Sequence, residues 1–273
     1  MPSPRPLKLI AVDLDGTLLT PELTVHPRTA QAVRAAADRG VTVAIATGRT
    51  HAGAEPFAFQ LGLNAPIISY NGAMIRNAGA PEPLRHQPID APVAAEAVDL
   101  CVRLDMDMMY FLDDSIFVPR YDHWAYEYLA RTGNDCIVLR DLRSLAGRTP
   151  TKLLVLGSPE QTRARYDLFT RHFAGRLHVT ISLPEYLELL HPAVSKAAAV
   201  ARLAAMLDLG MDQVMAVGDS LNDLEMVQQA GVGVMMPTAA EELRAAADYV
   251  PQSLEAGVAE AIEHFVLASS APA

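Results

Sequence analysis

The 273-residue chain is poor in cysteine, tryptophan and lysine: two Cys, one Trp and three Lys, against nineteen Arg. Cys101 and Cys136 have no metal-ligand spacing and make no disulfide framework, so a zinc ribbon or a disulfide-stapled fold is excluded. Aromatic residues make up only 6%, and positive charge is scarce, with a net charge of -10. A nucleic-acid backbone needs clustered Lys and Arg, so nucleic acid is excluded as the main partner. A small phosphorylated ligand is not excluded, because it needs only one local positive spot. No apolar run reaches the ~18 residues of a membrane span, so no membrane partner is expected. "MPSPRPLK" leads into a short strand, not a long apolar signal segment. The expectation is a cytoplasmic protein, monomeric or weakly dimeric. What the chain does have is apolar residues, 51% of the total, enough for one large domain or two smaller ones.

Strand and helix patterns alternate at both ends of the chain. "LKLIAV", "VTVAIA" and "APIISY" read as buried strands, and "HPRTAQAVRAAADRG" as a helix stopped by Gly40. Toward the C-terminus, "SKAAAVARLAAMLDLG" reads as a helix closed by Gly210. Strand "QVMAVG", helix "NDLEMVQQAG" and strand "GVGVMM" follow, then helices "TAAEELRAAAD" and "GVAEAIEHFVLA". Uninterrupted Val/Ile/Ala strands alternating with helices predict an α/β fold, a doubly wound parallel sheet covered on both faces.

The middle differs. Helix "VAAEAVDLCVRLD" precedes two short strands, "MDMMYFL" and "SIFVPR", joined through Asp113-Asp114. "TKLLVLG", "LHVTISL" and "YLELLH" are further strands, and "YDHWAYEYL" is expected to be a helix with an aromatic packing face. Short connections between adjacent strands predict an antiparallel α+β domain at 84–185, inserted into a discontinuous core of 1–83 and 186–273.

Ligands of open α/β sheets sit beyond the carboxyl ends of the strands. Four motifs occupy such ends: "DLDGT", "TGRT", "SYNGA" and "GDSLND". They would bring Asp13, Asp15, Asp219 and Asp223 to one edge. Gathered carboxylates repel one another unless a cation neutralises them. An all-oxygen donor set favours Mg²⁺, which takes few carboxylates and completes its shell with water and substrate phosphate. Thr47 with the N–H groups of Gly48 and Arg49 at a strand-to-helix turn makes a phosphate cradle, or Thr47 caps the helix. Ser220 and Asp223 fit a capping box, which leaves Asn222 either a cap residue or a ligand. Lys196 opens a helix, where its charge opposes the dipole, and so is expected to face an anion.

These motifs, in order and spacing, resemble the haloacid dehalogenase superfamily of phosphotransferases. More closely they resemble its Cof-type sugar-phosphatase branch, in which an α/β cap lies between the second and third motifs. "DLDGTLLT", "ATGRT", "SYNGA", "VSKAAAV" and "GDSLNDLEMVQQAGVGVMM" carry the resemblance over nearly the whole chain. Two places depart from the family pattern: Met236-Pro237-Thr238-Ala239 replaces a Gly-Asn-Ala turn, and Ala197 replaces a Gly.

The resemblance implies Asp13 as nucleophile forming an aspartyl-phosphate and Asp15 as acid and base. It implies Mg²⁺ on Asp13, the Asp15 carbonyl and Asp219, with Asp223 direct or through water. It also implies phosphoryl contacts from Leu14, Thr47, Lys196 and Asn222. The expected substrate is a small phosphorylated metabolite such as a sugar phosphate, flavin mononucleotide or pyridoxal phosphate. A phosphomutase, a receiver-type signalling domain and an idle metabolite-binding protein are the alternatives.

Overall fold

The computed structural model describes residues 6–112 and 114–268. Residues 1–5 of "MPSPRPLK" and Asp113 of the expected Asp113-Asp114 connection lie outside the described residues. The chain opens with β1 (Leu9–Val12), α1 (Pro27–Asp38), β2 (Thr42–Ile45) and α2 (His51–Leu61). Three short strands follow: β3 (Ile67–Ser69), β4 (Met74–Arg76) and β5 (Arg85–His86). The middle runs α3 (Ala91–Arg103), β6 (Asp107–Leu112), β7 (Ser115–Val118), α4 (His123–Thr132) and β8 (Ile137–Val138). It continues through β9 (Lys152–Leu156), α5 (Pro159–His172), β10 (His178–Leu183) and β11 (Tyr186–Leu190). The last part is α6 (Lys196–Met206), β12 (Val214–Gly218), α7 (Leu224–Gln229), β13 (Val232–Met235), α8 (Glu241–Arg244) and α9 (Gly257–Ile262).

A parallel sheet of order β13-β12-β1-β2 carries the first and last parts. Side chains alternate along each strand, so one face of β1 shows Ile10 and Val12 and the other Leu9 and Ala11. Ile10 and Val12 pack with residues of α1, α2 and α9, whereas Leu9 and Ala11 pack with α6 and α7. Burial on both faces is why these strands are apolar without alternation. β3 extends the sheet by a single parallel bridge, Ala46 to Ile68, then turns into an antiparallel run with β4 and β5. Among the described residues, no helix is long and apolar enough to cross a membrane.

Two helices end differently from expectation. α6 stops at Met206, and Asp208 takes the left-handed conformation at φ 57°, four residues short of the helix end expected at Gly210. Asp tolerates that region because its short polar side chain bonds locally. α8 covers only Glu241–Arg244 of "TAAEELRAAAD". The following segment is drawn to the sheet edge, where Asp248 accepts the Gly233 N–H at 2.7 Å and Tyr249 bridges Val234.

The middle part forms its own six-stranded sheet, order β10-β11-β9-β6-β7-β8, antiparallel except for the β7–β8 pair. α3 and α5 cover one face. The other face packs on α4 and on Tyr70, Ala73, Met74 and Val194, which lie outside 84–185. The expected aromatic face of α4 is present: Tyr128 meets Phe111 edge-on, with ring centroids 5.8 Å apart, and Tyr186 at 5.7 Å.

Strand pairing bears on the expected limits of the insertion. Glu185 sits between β10 and β11, and β11 pairs with β10 and β9 in the middle sheet. Arg85 and His86 pair with β4 of the first part. We propose that the inserted unit runs from 87 to 190, because cutting at 84 and 185 would split three antiparallel pairs, β4–β5, β10–β11 and β9–β11.

Candidate active site

β1 ends at Val12, and the Asp13 N–H still bonds the Val217 carbonyl at 3.0 Å, so the sheet ladder fixes the start of the loop. Leu14–Leu18 then makes one wide helical turn, broken by Gly16 at φ 79°. A Cβ on Gly16 would lie 2.4 Å from Asp219 Oδ2, so the close approach of the two loops requires glycine. Thr17 Oγ1 donates to Asp219 Oδ1 at 3.2 Å and ties the loops together. The carboxylates of Asp13, Asp219 and Asp223 converge, with ligand atoms within 4.8 Å of one another.

Lys196 answers two of these charges. Ser195 caps α6 by accepting the Ala198 N–H, and Lys196, the first helical residue, is 1% exposed. Its Nζ donates to Asp13 Oδ1 at 2.7 Å and Asp223 Oδ1 at 2.8 Å. The anion expected opposite this lysine is therefore a pair of carboxylates. Burial works against the ammonium, but Asp13 and Asp223 outweigh it and hold the Lys196 pKa above its ordinary value. Burial pushes the Asp13 carboxyl well up; Lys196 opposes this and Asp223 and Asp219 add to it. Burial, then Asp223, push Asp219 up to about 7. Asp223 Oδ2 accepts the N–H groups of Asp219 and Ser220, each at 3.1 Å, so the capping contact and the charge pair share one side chain.

Asp15 does not join this cluster through its carboxylate. Arg49 grips it with two bonds, Nε to Oδ2 and Nη2 to Oδ1, both 2.7 Å. The planar fork of Arg matches a carboxylate in this way. Burial disfavours the guanidinium, yet its bonds to Asp15 raise its pKa overall.

Thr47 and Gly48 follow β2. Thr47 does not cap α2; Thr50 does, accepting the Gly53 N–H at 3.0 Å. The Arg49 N–H, expected free for phosphate, bonds Thr47 Oγ1 at 3.1 Å. Asn222 Nδ2 donates to Asn71 Oδ1 at 2.9 Å, and the buried Asn222 Oδ1 and Asn71 Nδ2 have no partner. Leu14 is fully buried beneath the loop.

A cleft opens over these groups. Asp13, Asp15, Thr47, Gly48, Arg49 and Asn222 line one end. Side chains of α4, β9 and the β10–β11 hairpin line the other. The Met236–Ala239 turn contributes no residue to it.

Some site residues escaped sequence reasoning. Lys152 and Glu188, 1% and 2% exposed, form an ion pair of 2.9 Å. Lys152 Nζ also donates to the Gly48 carbonyl at 2.8 Å and lies over the Phe111 ring, 4.6 Å from its centroid. The scarcity of lysine was the available signal for Lys152. Asn71 and Arg49 lie within the motifs, but nothing in the spacing reveals their partners.

The comparisons agree with this architecture. The family model for haloacid dehalogenase-like hydrolases matches residues 10–262. An HMP-PP phosphatase of Serratia proteamaculans is 30% identical, covering 95% of this chain and 94% of its own. A 5-amino-6-(5-phospho-D-ribitylamino)uracil phosphatase of Bacillus subtilis is 31% identical, covering 96% of each chain. The solved structure of a haloacid dehalogenase-like hydrolase from B. subtilis superposes with a TM-score of 0.85. It is 26% identical and is matched over 95% of this chain and 100% of its own. With the strand-end motifs, the parallel sheet and the inserted antiparallel unit all in place, the chain belongs to the haloacid dehalogenase-like hydrolases, in the Cof-type branch.

Proposed function

We propose that the chain is a Mg²⁺-dependent phosphatase that hydrolyses a small phosphorylated metabolite through an aspartyl-phosphate on Asp13. That it is a hydrolase of phosphate monoesters follows from its family and relatives. The observation that carries the finer reading is Lys196 bridging Asp13 and Asp223 with Asp219 alongside. Three carboxylates share one buried ammonium, which leaves excess negative charge at this end of the cleft. The raised Asp13 and Asp219 pKa values express that excess, and an all-oxygen set of this kind fits Mg²⁺. Asp13, the Asp15 carbonyl and Asp219 would hold the ion, with Asp223 bracing Lys196 and the 219–220 backbone. When bound, Mg²⁺ would offset the repulsion between the carboxylates and an incoming phosphate.

In the first step the Asp13 carboxylate forms a bond to phosphorus and the bond from phosphorus to the leaving oxygen breaks. Asp15, freed from Arg49 and carrying a proton taken from solvent, donates that proton to the leaving oxygen and the alcohol departs. In the second step water attacks phosphorus, Asp15 takes its proton, and the Asp13–phosphorus linkage breaks to give inorganic phosphate. Thr47, Gly48, Lys196, Asn222 and the Leu14 N–H hold the phosphoryl oxygens. Arg49 holds the Asp15 carboxylate until substrate arrives. One relative is an HMP-PP phosphatase and another a 5-amino-6-(5-phospho-D-ribitylamino)uracil phosphatase. A small phosphorylated metabolite is the corresponding substrate class here.

The test is phosphate release from a panel of phosphate monoesters with Mg²⁺, together with mass analysis of rapidly quenched enzyme. An addition of one phosphoryl group on the peptide carrying Asp13, absent from Asp13→Asn, is the expected result. Turnover by Asp13→Asn within tenfold of the unmodified enzyme would overturn the assignment.

A further inference from the structure

The far end of the cleft comes from α4 and the β10–β11 hairpin. Tyr128, Arg131 and Thr132 stand at helical spacings of three and four, so one face of α4 lines the cleft. Ser182, Leu183 and Tyr186 line it from the hairpin.

The cations of this cleft divide sharply. Lys196 is paired with Asp13 and Asp223, Arg49 with Asp15, and Lys152 with Glu188. Arg131 alone of the cations at the cleft has no ion-pair partner among the described residues, and it is exposed where it lines the cleft. A second observation is independent of it. Tyr128, which lines the cleft, is 3% exposed, and its buried hydroxyl has no hydrogen-bond partner among the described residues. Buried hydroxyls are nearly always bonded, so one left unmatched beside a cleft calls for a ligand atom. Two neighbouring hydroxyls are already engaged: Thr132 Oγ1 donates to the Tyr128 carbonyl at 2.9 Å and Ser182 Oγ to Glu188 at 2.8 Å.

Taking the phosphatase reading above as given, we propose that Tyr128 and Arg131 bind the leaving group, and that the enzyme selects monoesters whose leaving group carries a second anionic group. Phosphate at the Asp13 end places the leaving group along the cleft toward α4. The Tyr128 hydroxyl donates to an oxygen of that group, and the Arg131 guanidinium takes its carboxylate or further phosphoryl. A chain of net charge -10 repels a doubly anionic substrate at long range, and one unpaired guanidinium at the cleft offsets this locally.

The experiment compares kcat/KM for matched esters in each protein, with Mg²⁺ and 0.15 M NaCl, where fields beyond about 8 Å are screened. 3-Phosphoglycerate against glycerol 3-phosphate reads a carboxylate. Fructose 1,6-bisphosphate against fructose 6-phosphate reads a second phosphoryl group. The unmodified enzyme is expected to prefer the more anionic member of one pair by about tenfold, the strength of a charge-assisted contact. Arg131→Gln is expected to cut that ratio to about twofold or less. Arg140→Gln, on the same unit but outside the cleft, keeps it. Tyr128→Phe lowers kcat/KM for both members alike, several-fold, and leaves the ratio. No preference in either pair, or a preference that survives Arg131→Gln, overturns the proposal. Unchanged kinetics in Tyr128→Phe removes Tyr128 from it. Turnover of p-nitrophenyl phosphate by the unmodified enzyme is measured alongside; if that too is absent, the phosphatase reading itself has failed.

Discussion

Replacing Lys196 by Met removes the ammonium that Asp13 and Asp223 share and keeps most of its volume. Lys196 is 1% exposed, and its two contacts are 2.7 and 2.8 Å, so water cannot substitute for it. Removing one partner of a buried ion pair costs roughly 3–5 kcal/mol, because the remaining charge stays desolvated. For a chain of this length that corresponds to a fall in Tm of roughly 5–9 °C. The assay is thermal denaturation at pH 8 in EDTA. Two further arms identify the cause. Asp223→Asn in the Lys196→Met background removes one of the stranded charges and should restore a large part of the loss. Lowering the pH should shrink the loss as well, because burial already favours the neutral form of the Asp13 carboxyl and Lys196 no longer opposes it. Mg²⁺ at pH 8 should stabilise Lys196→Met more than the unmodified protein, since it meets more uncompensated charge. A loss below about 2 °C in EDTA would refute the charge-bridge account. So would a full loss that neither Asp223→Asn nor acid relieves.

Metal removal should make stability depend on pH through Asp219. Its folded-state pKa of about 7 lies above its ordinary 3.8, so the folded form binds more protons between those values. Stability of the metal-free protein then falls as pH rises from 5.5 to 8, and Mg²⁺ or Asp219→Asn removes the fall; a flat Tm in EDTA would contradict it. Arg49→Gln frees the Asp15 carboxylate from both 2.7 Å bonds and should lower kcat at least tenfold through lost positioning. Stopped-flow and steady-state rates check it, and a loss within twofold would show the grip to be incidental. Gly16→Ala places a methyl against Asp219, 2.4 Å from Oδ2, at a φ of 79°, and should weaken Mg²⁺-dependent stabilisation more than stability in EDTA. Equal losses in both conditions would place the effect in the backbone alone.

The shared core beneath α4 also bears on how the cap can be tested. Tyr70, Ala73, Met74 and Val194 pack with Met109, Phe111 and Leu154 of the inserted unit. Tyr70 further donates to Asp114 at 3.0 Å, and Arg76 to the same carboxylate at 2.9 Å. Excising the insertion would expose that apolar layer, so single substitutions in the cleft are the cleaner probe of specificity.

Much of this protein was legible in order and composition. The parallel sheet was, because strands buried on both faces must be apolar throughout, as "LIAV" and "VMAV" are. The convergence of "DLDGT", "TGRT" and "GDSLND" was, because loops at the carboxyl ends of neighbouring parallel strands share one edge. Lys196 was, because a rare lysine opening a helix needs a reason. What tertiary structure alone decided is which charges pair. Asp13 and Asp15 are two residues apart, yet one faces Lys196 from 183 residues away and the other Arg49 from 34 residues away. Lys152 reaches Gly48 across 104 residues, and the Tyr128 hydroxyl meets no hydrogen-bond partner among the described residues. Local spacing places a side chain on a strand end or a helix face, but the partner of a buried charge is set by how separate elements pack. That packing also leaves Arg131 as the cation at the cleft without a carboxylate.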